Sequence, residues 1–148
     1  MTGHQTTDVL VVGSGIAGLA AALAAAREGN EVVVATKATR PEDASSWWAQ
    51  GGIAVARDHP DRFRRDILAA SDDTADPDAV DVLVENANDA VRDVLVETLG
   101  VTFDGDADAA AGAGGPGPAG EFAGRDGGFD FGREAAHTED RILHVGAE

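Results

Sequence analysis

The feature that most constrains the fold is a glycine motif, Gly13-Ser14-Gly15-Ile16-Ala17-Gly18, placed between two strongly patterned segments. Residues 8–12, DVLVV, form a short apolar, β-branched run that predicts a buried strand. Leu19 to Gly29 is rich in helix formers and ends at a glycine suited to a helix C-terminus. Residues 31–35, EVVVA, predict a second strand. The order β–turn–α–β predicts a right-handed parallel unit and an α/β, Rossmann-like fold.

In this context, G-x-G-x-x-G predicts a dinucleotide phosphate site. Gly13 permits a tight turn, Gly15 allows a pyrophosphate to approach the backbone, and Gly18 allows the helix to pack closely on the strand. The helix N-terminus offers N–H groups and a positive dipole to the phosphates. The alternative is a glycine-rich turn that binds no ligand.

The end of the second strand bears on which dinucleotide binds. NAD-binding folds, and many FAD-binding folds, place an Asp or Glu there for the ribose hydroxyls. This chain has Thr36 and Lys37 instead, and no carboxylate occurs until Glu42. The sequence therefore weakens a general NAD prediction and favours a lineage that uses Thr and Lys.

A second motif, SSWWAQGG from Ser45 to Gly52, contains both tryptophans of the chain. Gly51 and Gly52 would let the backbone approach a planar ligand, and the serines and Gln50 offer hydrogen bonds. Trp47 and Trp48 would exclude water, which favours hydride chemistry at a flavin. The alternative is that the tryptophans are core residues, since neighbours on an extended segment point in opposite directions.

The remaining segments predict helices and one low-complexity loop. Helices are expected over Pro60–Ser71 and over Asp78–Leu99, the latter capped by Asp76 or Asp78 and ended by Gly100. VTF at 101–103 predicts a short strand. Residues 105–132 hold ten Gly and two Pro, which predicts a mobile loop from about Gly105 to Gly128. Order is expected to return at Phe129–Arg133, and a short apolar run covers Ile142–Val145.

Composition excludes several classes of function. The formal net charge of −16 argues against nucleic acid and anionic membranes as partners, because both repel an acidic protein. Ten of the 11 basic residues are Arg, and Asp outnumbers Glu by 18 to 9. We interpret this charge as adaptation to a high-salt, halophilic cytoplasm; the alternative is an ordinary acidic protein. Without cysteine, there are no disulfides or thiolate metal sites, and redox chemistry needs a bound cofactor. No signal peptide and no membrane span are expected, and no metal site is predicted.

Four segments together resemble the N-terminal part of the L-aspartate oxidase family, which is related to the flavoprotein subunits of succinate dehydrogenase and fumarate reductase. They are DVLVVGSGIAGLAAALAA, ATKA, SSWWAQGGIAV and REAAHTEDRILH. The resemblance covers most of residues 8–104 and 132–146. It implies an FAD-binding domain and oxidation of L-aspartate to iminosuccinate, with O2 or fumarate reoxidising the flavin. It also implies the first step of NAD biosynthesis through quinolinate, and a functional link to quinolinate synthase.

The resemblance also implies roles for individual residues. Ser14 to Ala17 would line the FAD phosphates, and Lys37 would lie near the adenosine. The ribityl and isoalloxazine portions would be held by Ser45, Ser46, Trp47, Trp48, Ala49, Gln50, Gly51 and Gly52. Glu134 would orient the substrate amino group, although a surface pair with Arg133 is the alternative. His137 either lines the site or is structural.

Ser45 replaces the histidine that binds flavin covalently in the succinate dehydrogenase subunits. The resemblance therefore implies a non-covalent FAD that denaturation would release.

The family is much longer than this chain, and its catalytic arginine and substrate-carboxylate residues lie in a capping domain and a C-terminal helical domain. We therefore expect residues 1–148 to be the N-terminal part of an FAD-binding domain, inactive and poorly stable alone. Two other interpretations stay open: a related dicarboxylate flavoenzyme, such as a soluble fumarate reductase, and a standalone dinucleotide-binding module.

Overall fold

The chain folds as two compact units, residues 1–50 and 51–148. The computed structural model describes residues 6–72, 74–105 and 129–146. The predicted glycine-rich loop from Gly105 to Gly128 thus falls, beyond its first residue, outside the described part of the chain. Among the described residues, no helix combines the length and apolar character needed to cross a bilayer.

The first unit is the predicted β–turn–α–β arrangement. Strand β1 (Val9–Val12), helix α1 (Ile16–Arg27) and strand β2 (Val32–Ala35) follow one another, and the strands pair in parallel from Val9↔Val32 to Val12↔Ala35. The helix begins three residues before the predicted start at Leu19, because the end of the glycine motif already forms its first turn. Gly29, with φ of +86°, follows the helix in the left-handed conformation expected after a C-terminus.

The apolar faces of the first unit remain open to solvent. Among residues 6–50, no side chain is buried, and Leu10 and Val12 on β1 are 59% and 82% exposed. Two strands and one helix cannot enclose a core on both sides of a sheet. The parallel sheet is therefore incomplete within the described residues, as the sequence predicts.

The second unit is built on a three-stranded antiparallel sheet. Strand β3 (Ile53–Ala54) and strand β4 (Phe131–Gly132) both pair with the central strand β5 (Ile142–Leu143). Helix α2 (Pro60–Ala70) and helix α3 (Pro77–Ala90) lie between β3 and β4 in sequence. The sequence predicts these helices and the return of order near Phe129, but it does not predict the antiparallel sheet.

The helix predicted over Asp78–Leu99 divides into two kinds of helix. Asp76 caps α3 by accepting the Asp78 N–H at 3.0 Å, and α3 continues into a π-helix over Val91–Thr98. Within the wider turns, the Leu99 N–H donates to the Val94 carbonyl, five residues back, at 3.1 Å. Gly100 ends the helix with φ of +65°, as predicted.

The short strand predicted at 101–103 is wrong. Val101 and Phe103 pack in the core without pairing in a sheet, and Gly105 forms an isolated bridge with Phe129. Between Phe103 and Gly105, the Asp104 N–H donates to the His144 carbonyl at 2.8 Å. The alternation of Val101, Thr102 and Phe103 suggested a strand. These residues instead come shortly after the end of the π-helix and form a loop whose apolar side chains pack in the core.

Two apolar clusters form the core of the second unit. One is centred on Val55, Val91, Phe103 and Leu143, and the other on Ala56, Phe63, Val80 and Val84. Consecutive residues after β3 therefore enter different clusters, as alternation along an extended segment requires. Asn88 of α3 joins them by accepting the Ala56 N–H on its side-chain oxygen at 2.8 Å.

The packing of α1 on β1 gives a direct test of the first unit. A β-carbon at Gly18 would lie 2.3 Å from the Gly13 carbonyl oxygen, so a Gly18→Ala substitution forces the helix away from the glycine turn. We expect a loss of stability on the order of 3 kcal/mol, measured as faster hydrogen exchange at the Val9–Val12 amides. Gly29→Ala is the control, because a β-carbon there meets no atom within 4 Å and only backbone strain is added. Equal effects of the two substitutions would contradict the packing argument.

Candidate functional site

The N-terminus of α1 has the geometry of an anion site. Gly13 adopts φ of +113°, and Gly15 is the extended N-cap residue, with φ of −74° and ψ of 172°. The first helical turn contains no acidic residue, so its N–H groups and the helix dipole are not neutralised from within. This geometry fits a phosphate at Gly15, and its binding there stays a prediction.

Hydroxyl groups of the first unit surround this helix end. The Ile16 N–H donates to Ser46 Oγ at 2.9 Å, and the Ser14 and Thr36 hydroxyls are 2.9 Å apart. Ser46 thus lies beside the glycine motif although 30 residues separate it from Ile16. The sequence predicts Ser14 and Ser46 as ligand residues and indicates that Thr36, directly after β2, bears on the choice of dinucleotide. The contact between the Thr36 and Ser14 hydroxyls was not predicted.

Lys37 has an exposed side chain at the end of β2. The chain turns there, and the Ala38 N–H donates to Thr36 Oγ1 at 3.0 Å. The structure therefore fixes the backbone around Lys37 through Thr36. Its predicted role near an adenosine stays a prediction.

The two tryptophans lie in a single turn of 3₁₀-helix, Ser45–Trp48, rather than on an extended segment. Trp47 and Trp48 are 57% and 68% exposed, and the Trp48 indole N–H donates to the Glu42 carbonyl at 2.7 Å. Both tryptophans therefore lie outside the core that the described residues form, and their role at a flavin stays a prediction. Ala49 and Gln50 follow in exposed positions at the end of the first unit.

In the second unit, Gly51 and Gly52 have packing roles of their own. A β-carbon at Gly52, where φ is +72°, would lie 2.3 Å from the Leu143 carbonyl oxygen. A β-carbon at Gly51 would lie 3.0 Å from Glu134 Oε2. Gly52 is therefore required by its contact with β5, whereas a β-carbon at Gly51 would displace the Glu134 carboxylate by a few tenths of an ångström.

Glu134 is half exposed and pairs with a histidine. Its Oε1 lies 3.6 Å from Nε2 of His144, whereas the neighbouring Arg133 pairs with Asp140 at 3.5 Å. The alternative of an Arg133–Glu134 surface pair is therefore wrong. Ala135 follows in the left-handed conformation with φ of +51°, an uncommon state for a residue with a β-carbon. The strained residue turns the chain directly after the carboxylate.

A buried ionic cluster anchors the segment that follows. Arg141 is fully buried, and its guanidinium lies 3.5 Å from Asp66 of α2, 3.4 Å from Glu139 and over the Phe63 ring. Thr138 donates to the Asp66 carboxylate from its N–H at 2.9 Å and from its hydroxyl at 3.0 Å. Burial alone would raise the pKa of Asp66. The Thr138 hydrogen bonds and the Arg141 charge outweigh burial, so the pKa lies below its ordinary value.

His137 belongs to this cluster and is structural. Its ring packs against Phe63 with a centroid distance of 5.6 Å, and its Nδ1 is buried without a hydrogen-bond partner among the described residues. Burial lowers the pKa of His137, and the positive charge of Arg141 lowers it further against the opposing effect of Asp66. The pKa of His137 therefore lies below its ordinary value, which favours the neutral ring packed against Phe63.

The structure thus assembles the predicted residues in two groups, one in each unit. The first contains the glycine motif with Ser46, and it adds Thr36. The second contains Gly51, Gly52 and Glu134, and it adds His144, a residue within the quoted REAAHTEDRILH segment to which sequence reasoning gave no role. The described residues bring together no cluster of three His, Cys, Asp or Glu side chains that could hold a metal ion.

Known proteins resemble this chain in sequence. Residues 8–148 match the family of FAD binding domains. The chain is 58% identical to the L-aspartate oxidase of Halobacterium salinarum over 99% of its own length and 25% of that protein. It is 39% identical to the L-aspartate oxidase of Streptomyces coelicolor over 95% of its length and 21% of that protein. The chain therefore spans about a quarter of the length of these curated relatives.

Two solved structures share the fold. The open conformation of a flavocytochrome c3 fumarate reductase superposes with a TM-score of 0.72 at 24% identity, covering 99% of this chain and 23% of that one. Mycobacterium smegmatis Sdh1 in complex with UQ1 gives a TM-score of 0.72 at 26% identity, covering 96% of this chain and 21% of that one. The first likeness, below 25% identity, bears on the fold alone.

The lowered pKa of His137 predicts a pH-dependent stability. When pH falls below 6.5, the ordinary pKa of the group, the unfolded chain takes up a proton before the folded chain does. The free energy of unfolding should therefore fall between pH 6.5 and 5, by at most about 1.4 kcal/mol per pH unit. The measurement is urea unfolding across this range. His137→Leu should flatten the dependence, whereas His59→Leu, at an exposed histidine, should keep it. An unchanged slope in His137→Leu would refute the assignment.

Proposed function

Because the chain belongs to the family of FAD binding domains, we propose that it forms the N-terminal part of a flavoenzyme that oxidises L-aspartate to iminosuccinate. The observation that carries the proposal is the 58% identity with an L-aspartate oxidase over 99% of this chain. The positions of the glycine motif and of Glu134 support it, because one can hold a dinucleotide phosphate and the other an amino group.

The first unit has groups that fit the pyrophosphate of FAD. The N–H groups of Gly15, Ala17 and Gly18 would donate to phosphate oxygens, whereas the Ile16 N–H donates to Ser46 Oγ at 2.9 Å and so fixes that hydroxyl at the same helix end. Lys37 would lie on the adenosine side, and residues 45–52 would hold the ribityl and isoalloxazine portions. FAD, when bound, supplies the acceptor for the hydride that leaves the substrate Cα. Ser45 cannot bond covalently to a flavin as a histidine does, so the cofactor should be non-covalent.

Glu134 would recognise the substrate through its charge. The α-ammonium of aspartate needs an anionic partner, and the carboxylate of Glu134 is half exposed, with its Oε1 3.6 Å from Nε2 of His144. Succinate and fumarate have no such group, so an ion pair at this position favours an amino acid over a dicarboxylic acid. Trp47 and Trp48 are exposed here, and with FAD packed against them they would limit the access of water to the reacting atoms.

The rest of the enzyme would come from polypeptide beyond these residues. We propose that further strands cover the open apolar faces of β1 and α1, where Leu10, Val12 and Leu19 are more than half exposed. A capping domain and a C-terminal helical domain would supply the catalytic arginine and the groups that bind the substrate carboxylates. The product would enter NAD biosynthesis through quinolinate synthase, O2 or fumarate would accept the electrons, and the enzyme would work in the cytoplasm.

A related dicarboxylate flavoenzyme is the second candidate. The fold likeness to a fumarate reductase and to Sdh1 favours it. Glu134 and Ser45 favour the amino acid oxidase, because the first suits an ammonium group and the second excludes the histidyl flavin bond.

Gly15→Val tests the cofactor site. A β-carbon at Gly15 would lie 3.4 Å from Ser46 Oγ, and the added methyl groups of valine would occupy the space that a phosphate needs. In the full-length protein, we expect loss of bound FAD, measured by the flavin absorbance of the purified protein. Ala24→Val, at an exposed position of the same helix, is the control for helix weakening. Normal flavin content in Gly15→Val would refute the assignment of the site.

Glu134→Gln tests the reaction and the substrate class together. The full-length enzyme should oxidise L-aspartate, and the substitution should raise KM for aspartate by about 10- to 100-fold through loss of the ammonium's partner. The inhibition constant of succinate should stay unchanged, because succinate has no ammonium. Oxidation of succinate or reduction of fumarate in preference to aspartate oxidation would instead support the second candidate.

A further inference from the structure

We propose that His144 is the residue that positions Glu134, and that it thereby sets the preference of the site for an amino-bearing substrate. The inference rests on the proposed function, which assigns the substrate ammonium to Glu134. It adds His144, which follows β5 and contacts Glu134 although ten positions separate the two residues along the chain. His144 does not need to touch the substrate, so its role is positioning rather than catalysis.

The backbone of His144 is fixed by its neighbours. It follows β5 directly, and its carbonyl oxygen accepts the Asp104 N–H at 2.8 Å. Asp104 in turn binds Asp130, whose N–H donates to the Asp104 carbonyl at 2.8 Å. Two other segments of the second unit therefore support the main chain from which the imidazole projects, one directly and one through Asp104.

The imidazole ring stands in a slot between two glycines. A β-carbon at Gly132, on β4, would lie 2.6 Å from Nε2, and a β-carbon at Gly52 would lie 3.1 Å from Nδ1. Real β-carbons essentially never lie 2.6 Å from another atom, so a β-carbon at Gly132 would displace the ring. At Gly52 the contact with Nδ1 would be tight and would require a shift of a few tenths of an ångström. The two glycines therefore leave room for the ring in this orientation.

In this orientation, Nε2 faces the Glu134 carboxylate at 3.6 Å from Oε1. The other oxygen, Oε2, lies next to Gly51, where a β-carbon would be 3.0 Å away. A carboxylate has about four acceptor positions. His144 engages one side of the group, and the half-exposed remainder stays free to accept an ammonium.

Neither residue next to Glu134 in the sequence can orient its carboxylate. The Arg133 guanidinium is directed to Asp140, and Ala135 carries no polar side chain. Its left-handed backbone sets the direction of the chain after Glu134 but cannot hold the carboxylate itself. A glutamate side chain has three rotatable bonds, so without the imidazole it would sample several orientations and bind an ammonium less tightly.

The test compares two amides at position 144 in the full-length FAD enzyme. The side-chain nitrogen of glutamine can reach the place of Nε2, whereas that of asparagine lies near the place of Nδ1 and falls short of Glu134. We expect His144→Asn to raise KM for L-aspartate about tenfold, with kcat changed less and the inhibition constant of succinate unchanged. His144→Gln should restore most of the affinity for aspartate. Equal KM values for the two variants would overturn the proposal.

Two further measurements separate the possible failures. If the unmodified enzyme does not oxidise aspartate, the proposed function fails, whatever the variants do. The contact itself is tested without activity by labelling histidine with ¹⁵N and recording imidazole spectra. Glu134→Gln should shift the Nε2 resonance of His144, and Asp140→Asn should not. An unshifted resonance would overturn the positioning role.

A substitution at Gly132 tests the proposal without replacing His144, in case the His144 variants do not fold. Gly132→Ala pushes against Nε2 and should also raise KM for aspartate while leaving bound FAD and succinate inhibition intact. Wild-type KM in a folded Gly132→Ala enzyme would contradict the proposal.

Discussion

Both units depend on backbone segments that lie closer together than a β-carbon allows. In the first, Gly18 brings helix α1 against the Gly13 carbonyl; in the second, Gly52 brings the chain against the Leu143 carbonyl. The first contact closes the glycine motif on itself, and the second joins the Gly51-Gly52 pair to β5. Each motif therefore combines a glycine that packs closely with a neighbouring glycine that leaves the backbone open to a ligand.

The sequence predicted the elements whose pattern is local. The β1–α1–β2 order and the helices beginning near Pro60 and Pro77 follow from apolar periodicity and caps. The antiparallel sheet could not be predicted, because its two-residue strands are too short for a period and the register of β3 on β5 depends on a pairing about 90 residues apart. The strand predicted at 101–103 is absent because alternation of apolar residues does not show whether a partner strand lies beside them.

Prediction of the site followed the same division. The glycine cradle was predictable because G-x-G-x-x-G has a fixed geometry between a strand and a helix. Glu134 was proposed by resemblance alone, and its imidazole partner was missed, because ten residues and a strained turn separate the two along the chain. The tryptophans show a further limit. Their adjacency suggested an extended segment, whereas a 3₁₀ turn places both at the surface.

The π-helix at Val91–Thr98 has a consequence for helical phase. Each π turn holds about one residue more than an α turn, and one residue corresponds to about 100° of rotation around an α-helix. Continuing α3 in ordinary α geometry would therefore leave Leu99 and Gly100 at a different azimuth. Phe103 would then miss its cluster, and the Asp104 N–H would miss the His144 carbonyl. The wide turns rotate the end of the helix so that the residues after it meet β5 and His144, which contacts the Glu134 carboxylate.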